Sequence, residues 1–332
     1  QKGDYTKVAG TLNFGVGEAS KGFMVLISED TFVEGNEALT RTLRNPSSAI
    51  GLGTQNTATL TITDDDTTNP PTVNPNDSAQ SFVCQHYHDF LNREPDAAGR
   101  AFWTDQINSC GTDQCREIRR INVSAAFFLS IEFQETGYLA HRLYKAAYGN
   151  LPGAPVPLAY DEFLPDTQRI GKDVIVGQTG WELALESNKQ AFIAAFIVRA
   201  RFATAHPTTL TPAQFVDALF TNAGVMPPAA DRQAAIDEFG GAATSSDLAA
   251  RARALRRVAE HSTFIQQEFN RAFVLMQYFG YLRRNPNDAP DTNFDGYSFW
   301  LNKLNSFNGN FINAEMVKAF ILSGEYRQRF GP

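Results

Sequence analysis

Over residues 1–66, apolar and polar side chains alternate in short runs. Residues 11–14, 23–27, 39–43 and 57–62 are rich in Thr, Leu, Val, Ile and Phe and are separated by Gly, Asn and Asp, which predicts four short β-strands. Four strands fall short of the about seven that close an ordinary sandwich. Residues 67–80 hold Pro70, Pro71 and Pro75 among Thr, Asn and Asp, the composition of a semi-extended linker. From about residue 81 the apolar spacing becomes helical, and the pattern repeats. His86-Tyr87-His88-Asp89-Phe90-Leu91-Asn92-Arg93-Glu94-Pro95-Asp96, leading to Phe102-Trp103, returns as Gln277-Tyr278-Phe279-Gly280-Tyr281-Leu282-Arg283-Arg284-Asn285-Pro286-Asn287, leading to Phe299-Trp300. Weaker copies begin at Arg142-Leu143-Tyr144 and Phe215-Val216-Asp217. We read residues 81–332 as an all-helical repeat domain of about four three-helix units, at 84–138, 139–206, 209–269 and 271–331. The fold class expected is therefore multidomain, all-β followed by all-α.

Composition narrows the function. With 43% hydrophobic and 20% charged residues the chain buries a core and is not disordered. The longest apolar run, residues 191–198, is far below the ~18 residues of a membrane span. A net charge of -7 argues against a nucleic-acid binder, and residues 1–66 alone carry nine acidic against five basic side chains. Arg251, Arg253, Arg256, Arg257 and the pair Arg283-Arg284 are read as solvated faces or salt bridges between repeats. The sequence starts at Gln1 instead of Met, so we expect a piece of a longer polypeptide. Cys110 and Cys115 bracket a four-residue loop, while Cys84 stands apart. Spacing alone leaves a local disulfide and free thiols both open; the disulfide is the expectation, with Cys84 unpaired, and it would fit an oxidising compartment.

Two resemblances sharpen this. Asp4-Tyr5-Thr6, Gly10-Thr11-Leu12-Asn13-Phe14, Glu29-Asp30-Thr31-Phe32-Val33-Glu34-Gly35-Asn36-Glu37, Leu43-Arg44-Asn45-Pro46 and Thr57-Ala58-Thr59-Leu60-Thr61-Ile62-Thr63-Asp64-Asp65-Asp66 resemble the second half of a Calx-beta domain, an immunoglobulin-like, calcium-binding sandwich of sodium–calcium exchangers and bacterial surface proteins. The resemblance implies Ca²⁺ as cofactor, held by Asp4, Asp30, Glu34, Asp64, Asp65 and Asp66. It also implies a first half, supplied either by a longer polypeptide or by another subunit through β-strand addition; an adapted four-stranded sheet packed on the helical repeats is the third alternative. Leu91-Asn92-Arg93-Glu94-Pro95-Asp96-Ala97-Ala98-Gly99-Arg100-Ala101-Phe102-Trp103 is similar to the signature of the bacterial domain-of-unknown-function family 4214, an all-helical module found at the end of extracellular and S-layer-like proteins. That family implies location and architecture, not chemistry.

Read as chemistry, Asp64, Asp65 and Asp66 crowded beside Asp30 and Glu34 at one end of a sandwich are costly without a cation, and a hard ion such as Ca²⁺ takes six to eight oxygens. A second candidate is Asp291, Asn293, Asp295 and Tyr297, whose spacing with Gly296 matches the first positions of an EF-hand loop, although position twelve is Asn302 and a plain helix start competes. Trp103 and Trp300 are expected in the core; exposed, they would stack on sugars. No nucleophile elbow, metalloprotease helix or phosphate loop occurs. The expectation is a non-enzymatic extracellular structural or adhesion protein with a calcium-stiffened β-module. Its partners would be other chains, as a homopolymer, filament or surface-layer neighbour, or a surface glycan. A carbohydrate-binding module and a hydrolase are the competing classes; the first needs an exposed aromatic platform and the second a cleft of convergent carboxylates.

Overall fold

Strands β1 (Glu37–Thr42) and β2 (Thr57–Ile62) pair antiparallel, with Glu37 opposite Ile62 and Thr42 opposite Thr57. The computed structural model describes residues 4–8, 10–47 and 50–332 of the chain. Beside the ladder, Tyr5 bridges Ile27, with Thr6 N–H donating to the Leu26 carbonyl at 2.8 Å and Ser28 N–H to the Asp4 carbonyl at 2.9 Å. This corrects the four-strand expectation: residues 23–27 contribute only a bridge, and residues 11–14 form no ladder. The reason is missing burial. Phe14, Phe23 and Met24 are 54%, 49% and 60% exposed, and among the described residues no second sheet covers them. A two-stranded sheet without a packed face holds little extended structure around it.

Helices make up the rest, in the order α1 (Ala79–His86), α2 (Ala97–Asn108), α3 (Asp113–Leu129), α4 (Ile131–Glu135), α5 (Gly137–Tyr148), α6 (Tyr160–Ile170), α7 (Trp181–Phe196) and α8 (Ala200–Ala205). There follow α9 (Pro212–Ala223), α10 (Ala229–Asp237), α11 (Leu248–Ala259), α12 (Ser262–Met276), α13 (Asp295–Ser306), α14 (Met316–Ile321) and α15 (Gly324–Arg327). Local sequence sets their starts: Ser78, Asp96, Thr112, Thr211 and Asp247 cap α1, α2, α3, α9 and α11 with side-chain oxygens. Helix α5 is buried along nearly its whole length and packs against α4, α6, α9, α11 and α12, so the core of the helical body is built around it. Among the described residues no helix is long and apolar enough to cross a membrane.

The repeated signature has a physical account. Helices α1 and α12 each run into a π-helical turn, Tyr87–Leu91 and Gln277–Leu282, and leave it through a left-handed residue, Asn92 or Arg283, both at φ 54°. The next residue, Arg93 or Arg284, makes a two-pronged ion pair with Glu132 (2.7 and 2.8 Å) or Glu325 (2.6 and 2.9 Å). A Cβ at Gly99 or Gly296 would strike the hydroxyl of Tyr87 or Tyr278, which is why the signature has glycine there. Tyr87 packs on Phe127 and Tyr278 on Phe320, and Trp103 and Trp300 lie half-buried against the same two phenylalanines. Signature residues therefore serve packing.

First and last copies also meet. Phe90 packs edge-on to Tyr281 at 5.1 Å, and Asp89, fully buried, pairs with Arg283 at 2.7 Å and Arg329 at 3.1 Å. Ser124 links His86 Nε2, at 2.7 Å, to the Tyr281 hydroxyl. The helical body thus closes on itself.

Candidate metal centre

The acidic residues of the β-part converge at one end of its ladder, where the start of β1 lies opposite the end of β2. Asp64, just beyond β2, accepts from the N–H groups of Glu34 (2.8 Å) and Gly35 (2.6 Å) through Oδ2 and from Asp66 N–H (2.9 Å) through Oδ1. Gly35 sits at φ +78°, a turn conformation that glycine adopts without strain. Asp64 N–H in turn donates to Asn36 Oδ1 at 3.0 Å. These backbone donors hold the Asp64 carboxyl below its ordinary range and tie the loop after β2 to the turn before β1.

Asp4 is carried in by the pairing of residues 4–6 with 26–28 and is only 6% exposed. Asp30 fixes its own loop by accepting from Phe32 N–H at 2.9 Å. One carboxylate oxygen from each of Asp4, Asp30 and Glu34 lies within 4.8 Å of the others. Two oxygens each about 2.4 Å from one ion stand at most about 4.8 Å apart, so the three fit around a single Ca²⁺. The donor set is all carboxylate, the choice of a hard cation.

Electrostatics describe the same place. Burial, then the charges of Asp4, Asp66 and Asp64, push the Asp30 carboxyl up, against the pull of its Phe32 bond. Burial followed by Asp30 and Asp4 pushes Glu34 up, and a hydrogen bond shared with Asp4 raises Glu37. Glu29 and Asp66 are likewise raised, first by burial and then by neighbouring aspartates. Two unit charges at 4.8 Å repel by about 1 kcal/mol in water and roughly 3 kcal/mol at the effective dielectric of a protein surface. Asp65 and Asp66 line the same pocket as the three converging residues. So do Glu29 and Glu37, which the sequence reading did not name as ligands. Glu37, three residues after Glu34 and at the first position of β1, was the signal available for one of them.

The second candidate is arranged otherwise. Asp291 Oδ2 accepts from Arg284 at 2.8 Å, and Asn293 and Asp295 bond to each other twice, at 2.9 Å, at the start of α13. Tyr297 is buried, with its hydroxyl donating to the Arg271 carbonyl at 3.2 Å. Local pairs engage these groups at a helix start. Cys110 and Cys115 are joined by a disulfide, with Cα atoms 5.5 Å apart, and Cys84 is free.

The arginines are bound within the body. Arg251 is fully buried and donates to Ser245 and to the His206 carbonyl, Arg253 and Arg257 pair with Glu238, and Arg256 with Glu186 and Glu260. His141 and Glu268 form a buried pair at 3.2 Å between α5 and α12. The aromatic side chains left open at the signature are Phe102 and Phe299, 55% and 56% exposed, each edge-on to its tryptophan.

Comparison with known proteins agrees with this division. Residues 1–66 match the family model of the Calx-beta domain, and residues 72–136 match that of a domain of unknown function (DUF4214). Calx-beta domains are calcium-binding in general, and the match suggests a surface or adhesion-type protein. The second match covers the first signature copy and does not reach the copy at residues 271–331. No curated protein and no solved structure matches the chain.

Proposed function

We propose that the chain is part of a non-enzymatic, extracellular cell-surface protein of structural or adhesive type, in which Ca²⁺ stiffens the β-part and the helical body engages other chains. The observation that carries the reading is the convergence of Asp4, Asp30 and Glu34 within 4.8 Å in a pocket also lined by Asp64, Asp65 and Asp66. Bound there, Ca²⁺ neutralises carboxylates that otherwise repel. Asp64 keeps the loop in place through backbone bonds, while Asp4, Asp30 and Glu34 supply oxygens. The exposed Phe14, Phe23, Met24 and Leu60 and the open edges of the two-stranded sheet among the described residues support completion of the β-part by added strands, the route to a polymer or surface layer.

Thermal unfolding tests it. Binding to the folded state alone adds RT ln(1 + [L]/Kd), about 2.7 kcal/mol at a hundredfold excess of Ca²⁺ over Kd. The transition of the β-part should rise with Ca²⁺ and fall in EDTA, and replacing Asp65 and Asp66 by Asn should weaken the response. Curves that coincide with and without EDTA contradict the assignment.

A further inference from the structure

The residues that form the acidic pocket share their backbone with the residues that fasten the β-part to the helical body. Asp4 lies on the same extended stretch as Thr6 and Lys7, and Asp30 directly precedes Thr31. Arg283 Nη2 donates to Thr6 Oγ1 at 3.3 Å, and Gln168 Nε2 to the Lys7 carbonyl at 2.8 Å. Thr31 N–H donates to the Phe330 carbonyl at 2.9 Å, and its hydroxyl lies 2.9 Å from the Val73 carbonyl and 3.2 Å from that of Phe330. The receiving side is firm: Arg283 is itself bonded to Asp89, to the His88 carbonyl and to the Tyr160 hydroxyl. Gly331 lies so close that a Cβ would stand 2.5 Å from Thr31 Oγ1 and 2.7 Å from the Val73 carbonyl.

We infer that Ca²⁺ at the Asp4–Asp30–Glu34 pocket locks the β-part onto the helical body, so that metal binding and docking are one coupled equilibrium. The inference rests on the calcium reading above. Without the ion, repulsion among the three carboxylates drives the 4–7 and 30–31 segments apart, because water screens Asp4, only 6% exposed, very little. That separation strains the bonds from Thr6, Lys7 and Thr31 to the helical body. With the ion, the segments are drawn together in the geometry that docks. Reciprocity follows: docking must strengthen Ca²⁺ binding by the factor by which Ca²⁺ strengthens docking.

The test uses the full chain in two measurements. Hydrogen exchange of the Thr31 amide, followed with Ca²⁺ and with EDTA, should accelerate at least about fivefold on chelation, the lower range of ordinary coupling between sites. Calorimetric Ca²⁺ titration of a Gln168→Ala/Gly331→Ala variant, which leaves every carboxylate in place, should show affinity weaker by a similar factor. Should Gly331→Ala disturb the helical melt, Gln168→Ala alone carries the comparison, since Gln168 is only half-buried and its amide reaches out of the helical body to the Lys7 carbonyl. If Ca²⁺ binds wild type but Thr31 exchange and the variant's affinity are both unchanged, the coupling is wrong and the metal site stands. If wild type takes up no Ca²⁺, both readings fall.

Discussion

Gly280→Ala probes the contact between the first and last signature copies. A Cβ there would stand 2.8 and 2.9 Å from two carbons of the Phe90 ring, closer than side chains tolerate. Phe90 is 3% exposed and hemmed in by His86, Phe133 and Tyr281, at 5.9, 6.0 and 5.1 Å between ring centres, so it has nowhere to go. Overpacking of this kind costs about 1–3 kcal/mol, against which alanine in a helical segment recovers roughly 0.5–1 kcal/mol of backbone entropy. The net loss is about 1–2 kcal/mol, a fall of roughly 2–8 °C in the melting temperature of a body this size. Circular dichroism melts read it directly. Gly324→Ala, with no atom within 4 Å of the added Cβ, is the control and should melt with wild type or slightly above. Phe90→Leu introduced into Gly280→Ala should restore part of the loss although it is harmful alone. A Gly280→Ala protein as stable as wild type would refute the packing between copies.

Three further outcomes follow from the charges. Burial lowers the His86 pKa to about 4, below its unfolded value, so the stability this neutral imidazole contributes is complete above pH 6.5 and is lost as pH falls from there to 4, about 3 kcal/mol in all; urea titrations across that range should show it, and His86→Gln, which places the residue of the equivalent Gln277, should flatten the acid limb. In the β-part the sign is opposite: Asp30, Glu34, Glu29 and Asp66 are raised when folded, so without metal this part loses stability as pH rises through the carboxylate range, and Ca²⁺ affinity measured at pH 7 should exceed that at pH 5. Glu132→Gln strips Arg93 of a partner that is nearly buried and should cost about 3 kcal/mol in chemical denaturation, whereas Glu325→Gln should cost less because Arg284 keeps its ion pair with Asp291 at 2.8 Å.

What the sequence made legible was local, and what it hid was long-range. The Pro-rich stretch, the change to helical spacing near residue 81 and the signature recurrence are short-range patterns, and they marked the helical part of the chain. The acidic residues were readable because Asp64, Asp65 and Asp66 are consecutive and Asp30 and Glu34 lie close together in sequence. Glu29 was hidden, since strict alternation would turn it away from Asp30; the irregular backbone between residue 28 and β1 lets both line the pocket. The strand expected at residues 11–14 has β-forming side chains, but such preference needs a packed face, and Phe14 has none. Closure of the first copy on the last was invisible because it depends on two aligned positions differing: Asp89 supplies a buried charge to Arg283 and Arg329, and Gly280 supplies the space that Phe90 occupies.

The central claim is that the three converging carboxylates hold Ca²⁺. Isothermal titration of the metal-free chain with Ca²⁺, beside an Asp30→Asn/Glu34→Gln variant whose helical melt is unchanged, tests it most directly. The account predicts saturable binding to wild type, and binding reduced at least about tenfold in the variant, the equivalent of about 1.4 kcal/mol. Equal binding by both proteins, or none by wild type, would contradict it.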